Sequence, residues 1–221
     1  MAKQNEFKVF NDIKNIEKII AKREKASVGK CSFFSILIPL VEVDGKINIL
    51  YELRAKTLKR QPGEISFPGG KIEIGETAKE AAIRETCEEL NIEKNQIELV
   101  GEFDTLYGNK NFVMYTFVGI ISREVYDEIK PNTDEVEEVF LVPIEYFAEN
   151  PPQIYEFEVT SKPVNEDIFQ YEAISKGYTL SQTKNPIPLY PWSDKPIWGL
   201  TGRITESFIK VLTAARCNSS I

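Results

Sequence analysis

Residues 69–92 read GGKIEIGETAKEAAIRETCEELNI, and the rest of the chain is best read outward from them. Thr77 with Glu80 three residues on is the order of a capping box, so a helix is expected to begin there. It should run to about Leu90 and end at Asn91, a residue that tolerates the left-handed conformation of helix ends. At about 100° per residue, Ile83, Thr86, Cys87 and Leu90 fall on one side. Glu85, Glu88 and Glu89 fall on the other, and Ala78, Ala81 and Ala82 continue that face toward the N-terminus. The first set suits a core. The second places three carboxylates at i, i+3 and i+4, where like charges cost a bare helix roughly a few tenths of a kcal/mol per pair. A divalent cation turns that repulsion into a site, because Mg²⁺ takes oxygen ligands and keeps several waters. A solvated acidic face is the alternative, and the helix alone does not separate the two.

Upstream, SFFSILIPLV is apolar and β-rich, Asp44-Gly45 supplies a tight turn, and INILYELRA returns, so residues 33–54 are expected to form a β-hairpin. Residues 55–76 look like a loop holding Pro62, Gly63 and the run Phe67-Pro68-Gly69-Gly70. Phe7, Phe10, Ile13, Ile16 and Ile20 recur at helical intervals and predict an N-terminal helix over 7–24. Downstream, strands are expected at 97–105, 112–121 and 137–142, with a short helix near 144–149. Residues 151–197 are rich in proline and tyrosine and show no clear period. They read as an insertion or lid with one hairpin around 154–160. A last helix over about 199–215 carries Leu200, Ile204, Phe208, Val211 and Leu212 on one face. The expectation is a single domain over 1–221, with a core at about 30–150.

Composition narrows the chemistry. The chain of 221 residues contains no histidine, which excludes Ser-His-Asp and Cys-His catalysis and histidine-held zinc. Cys31, Cys87 and Cys217 are widely spaced and suit a reducing compartment. No apolar run is long enough to span a bilayer, and the charged N-terminus lacks the apolar stretch of a signal peptide, so a cytoplasmic setting without membrane attachment is expected. A net charge of −7 argues against nucleic acid as a partner. A small anion bridged by divalent cations remains compatible with it.

Gly70, Glu76, Arg84, Glu85, Glu88, Glu89 and Ile92 stand at the spacing G-x5-E-x7-R-E-U-x-E-E-x-G-U, with U aliphatic. In this the chain resembles the Nudix hydrolase superfamily. Thr86 stands for an aliphatic residue and Asn91 for the last glycine, while every charged position is kept. The resemblance implies an α/β (α+β) fold: a Nudix-type α/β/α sandwich with a mixed β-sheet, an N-terminal helix and a C-terminal extension ending in a helix. It also implies Mg²⁺-dependent (or Mn²⁺-dependent) hydrolysis of a diphosphate bond. Glu85 and Glu89 would be the principal metal ligands, and Glu88 would complete the cluster or hold a metal-bound water. Glu76 would help through water or orient Arg84, and Arg84 would hold the glutamates by ion pairing rather than touch substrate. Gly69 and Gly70 would let the backbone approach metal and substrate. Glu85 is the first choice of general base, Glu88 shares the catalytic set, and Asp134 and Glu135 in the loop KPNTDEV are the reserve.

The segment before the box bears on substrate. Arg54, Gly63 and Phe67-Pro68-Gly69-Gly70 resemble in register the string L-L-T-x-R-S-x3-R-x3-G-x3-F-P-G-G of coenzyme A pyrophosphatases, a Nudix subgroup. Tyr51-Glu52 replaces Leu-Thr, Ala55 replaces Ser and Lys59 replaces Arg. Lys59 keeps the charge and loses the bidentate fork. Arg54, Lys56, Lys59 and Arg60 make a basic patch able to meet the 3′-phosphate of coenzyme A, or else a solvated loop. Ile197-Trp198-Gly199-Leu200-Thr201-Gly202-Arg203-Ile204 resembles the end of bacterial members of the subgroup, and equally a core helix with its entry turn. Tyr155, Tyr171, Tyr178, Tyr190 and Trp192 could contact a ligand or simply pack. The implied products are adenosine 3′,5′-bisphosphate and 4′-phosphopantetheine. The alternatives are a Nudix pyrophosphatase acting on ADP-ribose or another nucleoside diphosphate derivative, and a non-catalytic Nudix-fold binding module. The isomerase that shares the fold uses histidines, which are missing here. A homodimer is expected by analogy only.

Overall fold

Strands β1 (Ser32–Val43) and β2 (Lys46–Arg54) form the hairpin that Asp44-Gly45 predicts. Both turn residues take positive φ, 51° and 76°, the two-residue turn whose twist suits antiparallel strands. The structure is a computed structural model that describes residues 12–24, 26–108, 111–160, 164–171 and 182–218. Phe7, Phe10, Tyr178 and the side chain of Cys217 lie outside the described set. By contact the chain divides into residues 1–32 and 33–221. In the first unit, helix α1 (Ile13–Lys22) is capped by Asp12, whose side chain accepts from the Lys14 N–H. Its Ile13, Ile16 and Ile20 are exposed.

The second unit is built on an eight-stranded sheet. It contains β3 (Ile65–Ser66), β4 (Gly69–Lys71), β5 (Ile97–Glu102), β6 (Leu106–Gly108), β7 (Phe112–Ile121) and β8 (Val136–Pro143) beside the hairpin. The main order is β3-β2-β1-β7-β5, with β4 on β1, β6 on β7 and β8 on β2. Most of these pairings are antiparallel. Phe34 meets Phe112 near the start of β1 and β7, and Leu37 lies against Gly119 further along both, so these two strands run the same way and the sheet is mixed. β1 sends Ile36 and Ile38 to one face and Leu37 and Val41 to the other. A strand buried on both faces reads as a continuous apolar run, and this one does.

Helix α2 (Ala78–Leu90) covers the Leu37 face with Ala82, Ile83 and Leu90. The other face is closed by α4 (Ile144–Glu149), through Phe147, and by α5 (Gly199–Asn218), through Ile204, Phe208 and Ile209. A short helix, α3 (Arg123–Glu128), follows β7. The result is an α/β/α sandwich with a mixed sheet, ending in a C-terminal helix.

Several expectations change. Residues 55–76 are not all loop: β3 pairs with β2, and β4 pairs with β1 through Phe34↔Lys71 and Ile36↔Gly69. Strands of two and three residues are too short to show a period. Residues 154–160 are one strand rather than a hairpin: β9 (Gln153–Thr160) pairs with β10 (Gln182–Trp192), which pairs with β11 (Lys195–Trp198) in a second, antiparallel sheet. The partner strand lies more than twenty residues away, beyond the reach of a local turn signal. Tyr190 is buried and Trp192 stacks edge-on against Tyr146 at 4.7 Å, so both pack, whereas Tyr155 and Tyr171 are exposed. Gly202 is forced by proximity, since a Cβ there would stand 2.6 Å from the Pro188 carbonyl oxygen.

Candidate active site

The capping box forms as its residues predict. Thr77 Oγ1 accepts from the Glu80 N–H, and the Glu80 carboxylate accepts from the Thr77 N–H at 2.9 Å. At the other end Asn91 takes the left-handed conformation, φ 51° and ψ 47°, and its N–H reaches the Cys87 carbonyl. Helix α2 is thereby fixed at both ends, with its glutamates beside β4.

The faces of that helix differ from the simple amphipathic reading. Ala81 and Ala82 are buried, and Ala82 belongs to the apolar core. Glu89 is only 2% exposed, since β4 covers the side of the helix opposite its core face. The Gly69 N–H donates to Glu89 Oε2 at 2.8 Å. Gly69 (φ 151°) has no room for a side chain, because a Cβ would press on Ser35 O and Ile36 Cα. A Cβ on Gly70 would run into the Glu85 carboxylate. The two glycines bring bare backbone against two box glutamates.

Arg84 organises the outer half of the site. Its Nε and Nη2 grip Glu76 at 2.8 and 3.1 Å, its Nη1 reaches Glu85 at 2.9 Å and Glu88 at 3.0 Å, and Nη2 also donates to the Lys71 carbonyl. Hydrogen bonds from Arg84 hold the Glu76 carboxyl below its ordinary value, and those to Glu76 hold the guanidinium above its own.

The inner half holds a residue that the sequence reading passed over. Glu52 on β2 is fully buried, and its Oε1 accepts from Ser66 Oγ at 2.8 Å. Arg54 Nη1 lies 3.8 Å from Glu52 Oε1 and 4.0 Å from Glu89 Oε1. Burial pushes Glu52 up to about 7, against the pull of Ser66 and Arg54, and Glu135 and Glu85 push it further. Burial, then the charge of Glu52, pushes Glu89 up to about 9, against the Gly69 N–H and Arg54. Glu85 is also raised, by burial first, with Arg84 opposing and Glu88 and Glu135 adding to the shift. Of the reserve pair, Glu135 is the one whose charge acts on Glu52 and Glu85. Its carbonyl accepts from the Ala55 N–H at 2.8 Å, and the Asn132 N–H bonds the Glu89 carbonyl, which docks this loop on the end of α2. The available signal for Glu52 was a carboxylate in the middle of the apolar strand INILYELR.

Among the described residues no three acidic, histidine or cysteine side chains surround a common point at ligand distance. Arg84 draws Glu85 and Glu88 toward itself, and Gly69 holds Glu89. The donor chemistry nevertheless fits a hard dication. The charges of Glu85 and Glu135 raise the proton affinity of Glu52, those of Glu52 and Glu85 raise that of Glu89, and Glu52 Oε2 is buried with no hydrogen-bond partner. The basic residues divide. Arg54 lies in the carboxylate cluster, Lys56 pairs with Glu137 at 2.9 Å, and Lys59 and Arg60 are exposed without an ion-pair partner among the described residues.

Comparison with known proteins bears on the same segment. The chain is 35% identical over 142 residues to the peroxisomal coenzyme A diphosphatase NUDT7 of Mus musculus, an overlap covering 61% of this chain and 58% of that protein. It is 37% identical over 138 residues to Nudix hydrolase 3 of Caenorhabditis elegans, covering 60% and 58% respectively. Against the mitochondrial coenzyme A diphosphatase NUDT8 of Mus musculus it is 28% identical over 180 residues, covering 80% and 77%. The chain thus spans under two thirds of the length of the first two relatives. The family model for the NUDIX domain matches residues 34–160, a span that runs from β1 to the end of β9 and contains every carboxylate described above. With more than half its length under that match, the chain belongs to the NUDIX domain family.

Proposed function

We propose that this protein is a Mg²⁺-dependent hydrolase that cleaves the diphosphate bond of coenzyme A or an acyl derivative, yielding adenosine 3′,5′-bisphosphate and a 4′-phosphopantetheine. The observation that carries the reading is the clasp of β4 on α2, in which glycine backbone meets the Glu85 and Glu89 carboxylates beside an exposed basic loop. The similarity to two coenzyme A diphosphatases supports the substrate. Glu85, Glu88 and Glu89 would hold the metal, and Mn²⁺ is expected to substitute. When bound, the dication supplies charge neutralisation at phosphorus and a more acidic water.

The chain's own residues account for the rest. Glu85, half buried and raised by its surroundings, is suited to accept the proton of the attacking water, with Glu135 the other carboxylate on that side. Arg84 orients Glu85 and Glu88 and neutralises their excess charge. Lys59 and Arg60, both exposed, would receive a phosphate beyond the diphosphate, the 3′-phosphate of coenzyme A.

The test is a panel of coenzyme A, 3′-dephospho-coenzyme A, ADP-ribose and dinucleoside polyphosphates with Mg²⁺, followed by product chromatography. Coenzyme A should be turned over fastest, and faster hydrolysis of ADP-ribose would overturn the substrate assignment. Lys59→Ala should raise KM for coenzyme A while leaving 3′-dephospho-coenzyme A nearly untouched. Equal effects on both would remove Lys59 from phosphate recognition.

A further inference from the structure

Glu52 is a buried carboxylate that the box does not contain and the proposed reaction has not used. Its Oε1 and the Oε1 of Glu89 both approach one nitrogen, Arg54 Nη1, at 3.8 and 4.0 Å. That nitrogen marks a point where positive charge is held between two carboxylates from different elements, β2 and α2. The hold is loose: both separations exceed hydrogen-bond length, and Arg54 Nε is buried without any partner. Glu52 Oε2 is likewise buried and unpartnered. A well-built Arg–carboxylate pair is bidentate at about 2.7–2.9 Å, and nothing of that kind exists here. Ser66 orients Glu52 by donating to Oε1, which leaves Oε2 as the free ligand atom.

We infer that Glu52 and Glu89 together bind a divalent cation in exchange for the Arg54 guanidinium, so that Glu52 is a metal ligand outside the Nudix box and Arg54 is its internal competitor. The inference rests on the reading of Glu89 as a metal ligand. A dication in direct contact with carboxylate oxygens, at about 2.1 Å, interacts far more strongly than one guanidinium charge at twice that distance. Arg54 is 22% exposed, so its guanidinium can swing toward solvent when released. Displaced there, it adds to the phosphate-binding charge only when metal is loaded. Metal binding and substrate binding are then coupled through one side chain.

The experiment measures Mn²⁺ binding to the full chain without substrate, by electron paramagnetic resonance of free Mn²⁺ and by calorimetry. Glu52→Gln should weaken Mn²⁺ binding at least about tenfold, the effect typical of losing a metal-site partner. Arg54→Met should strengthen it several-fold, because the competing cation is gone. Wild-type affinity in Glu52→Gln, or unchanged or weaker binding in Arg54→Met, overturns the inference. Glu52→Thr, the residue of the related coenzyme A string, serves as a second variant should Glu52→Gln fold poorly, and it too must lose affinity. Glu89→Gln separates the two levels: if it binds Mn²⁺ as the wild type does, the box reading itself falls. If Glu89→Gln loses binding and Glu52→Gln keeps it, only the present inference falls.

Discussion

At the scale of single residues, the glycines of the Phe-Pro-Gly-Gly run show two different reasons for one residue type. Gly69 is constrained by backbone, because its φ of 151° and the approach of Ser35 O and Ile36 Cα leave no place for a Cβ. Gly70 is constrained by the Glu85 carboxylate, the far end of a flexible side chain. Gly70→Ala should therefore keep the fold while displacing Glu85, lowering turnover by a hundredfold or so with little change in Tm. Gly69→Ala should cost more than about 1 kcal/mol of stability, visible as a lower denaturation midpoint. A Gly70→Ala variant with normal turnover would show that Glu85 need not stand where the structure puts it. The sequence reading singled out both glycines for backbone approach. The collision that each one avoids appears only when β1 and α2 are in place.

At the scale of elements, helix α2 was readable at its ends and misleading along its side. Thr77, Glu80 and Asn91 act through neighbours within four residues, so cap and stop follow from local chemistry. Removing the cap with Thr77→Ala should cost about 1 kcal/mol and lower Tm, while kcat stays close to normal because the carboxylates lie two turns away. A fall in kcat as large as the one from Glu85→Gln would mean that the helix start positions the metal site directly. The helical wheel put Glu89 and Ala82 on the side opposite the core face. In the folded chain the sheet covers one side and β4 the other, so Glu89 is buried and Ala82 joins the core. A wheel accounts for one neighbour, and this helix has two.

At the scale of the whole molecule, the carboxylate cluster makes stability depend on pH in an unusual direction. Glu52 and Glu89 lie above the ordinary 4.5, at about 7 and about 9, so the folded protein without metal retains protons that the unfolded chain releases. Their contribution is complete below about pH 4.5 and is lost as pH rises through the folded values. In chelator, Tm should fall between about pH 5 and about pH 8, and Glu52→Gln should flatten that fall. Added Mg²⁺ should restore Tm most at the higher pH, where the carboxylates are ionised. A Tm that rises with pH in chelator would contradict the charge arrangement described here. The cost is borne by a sandwich whose sheet is covered on both faces, with residues from β1, β2, α2 and α5 in its two apolar layers.

The features decided by sequence alone are those whose physics is local. The Asp44-Gly45 turn needs two left-handed residues, the ends of α2 need a capping pair and an Asn, and the short helix at 144–149 and the strand at 112–121 carry their own patterns. The box spacing likewise places three glutamates on one helix before any partner is known. Tertiary structure decided the rest. β3 and β4 are too short for a pattern and exist because β2 and β1 offer them edges. β9 finds its partner across more than twenty residues, so its pairing is set by packing on the sandwich. Glu52 is distant from the box in sequence and becomes its neighbour because β2 and β4 both pair with β1, and α2 packs on the face to which β2 sends Leu50. Burial, the force that shapes its chemistry, is a property of the folded surroundings.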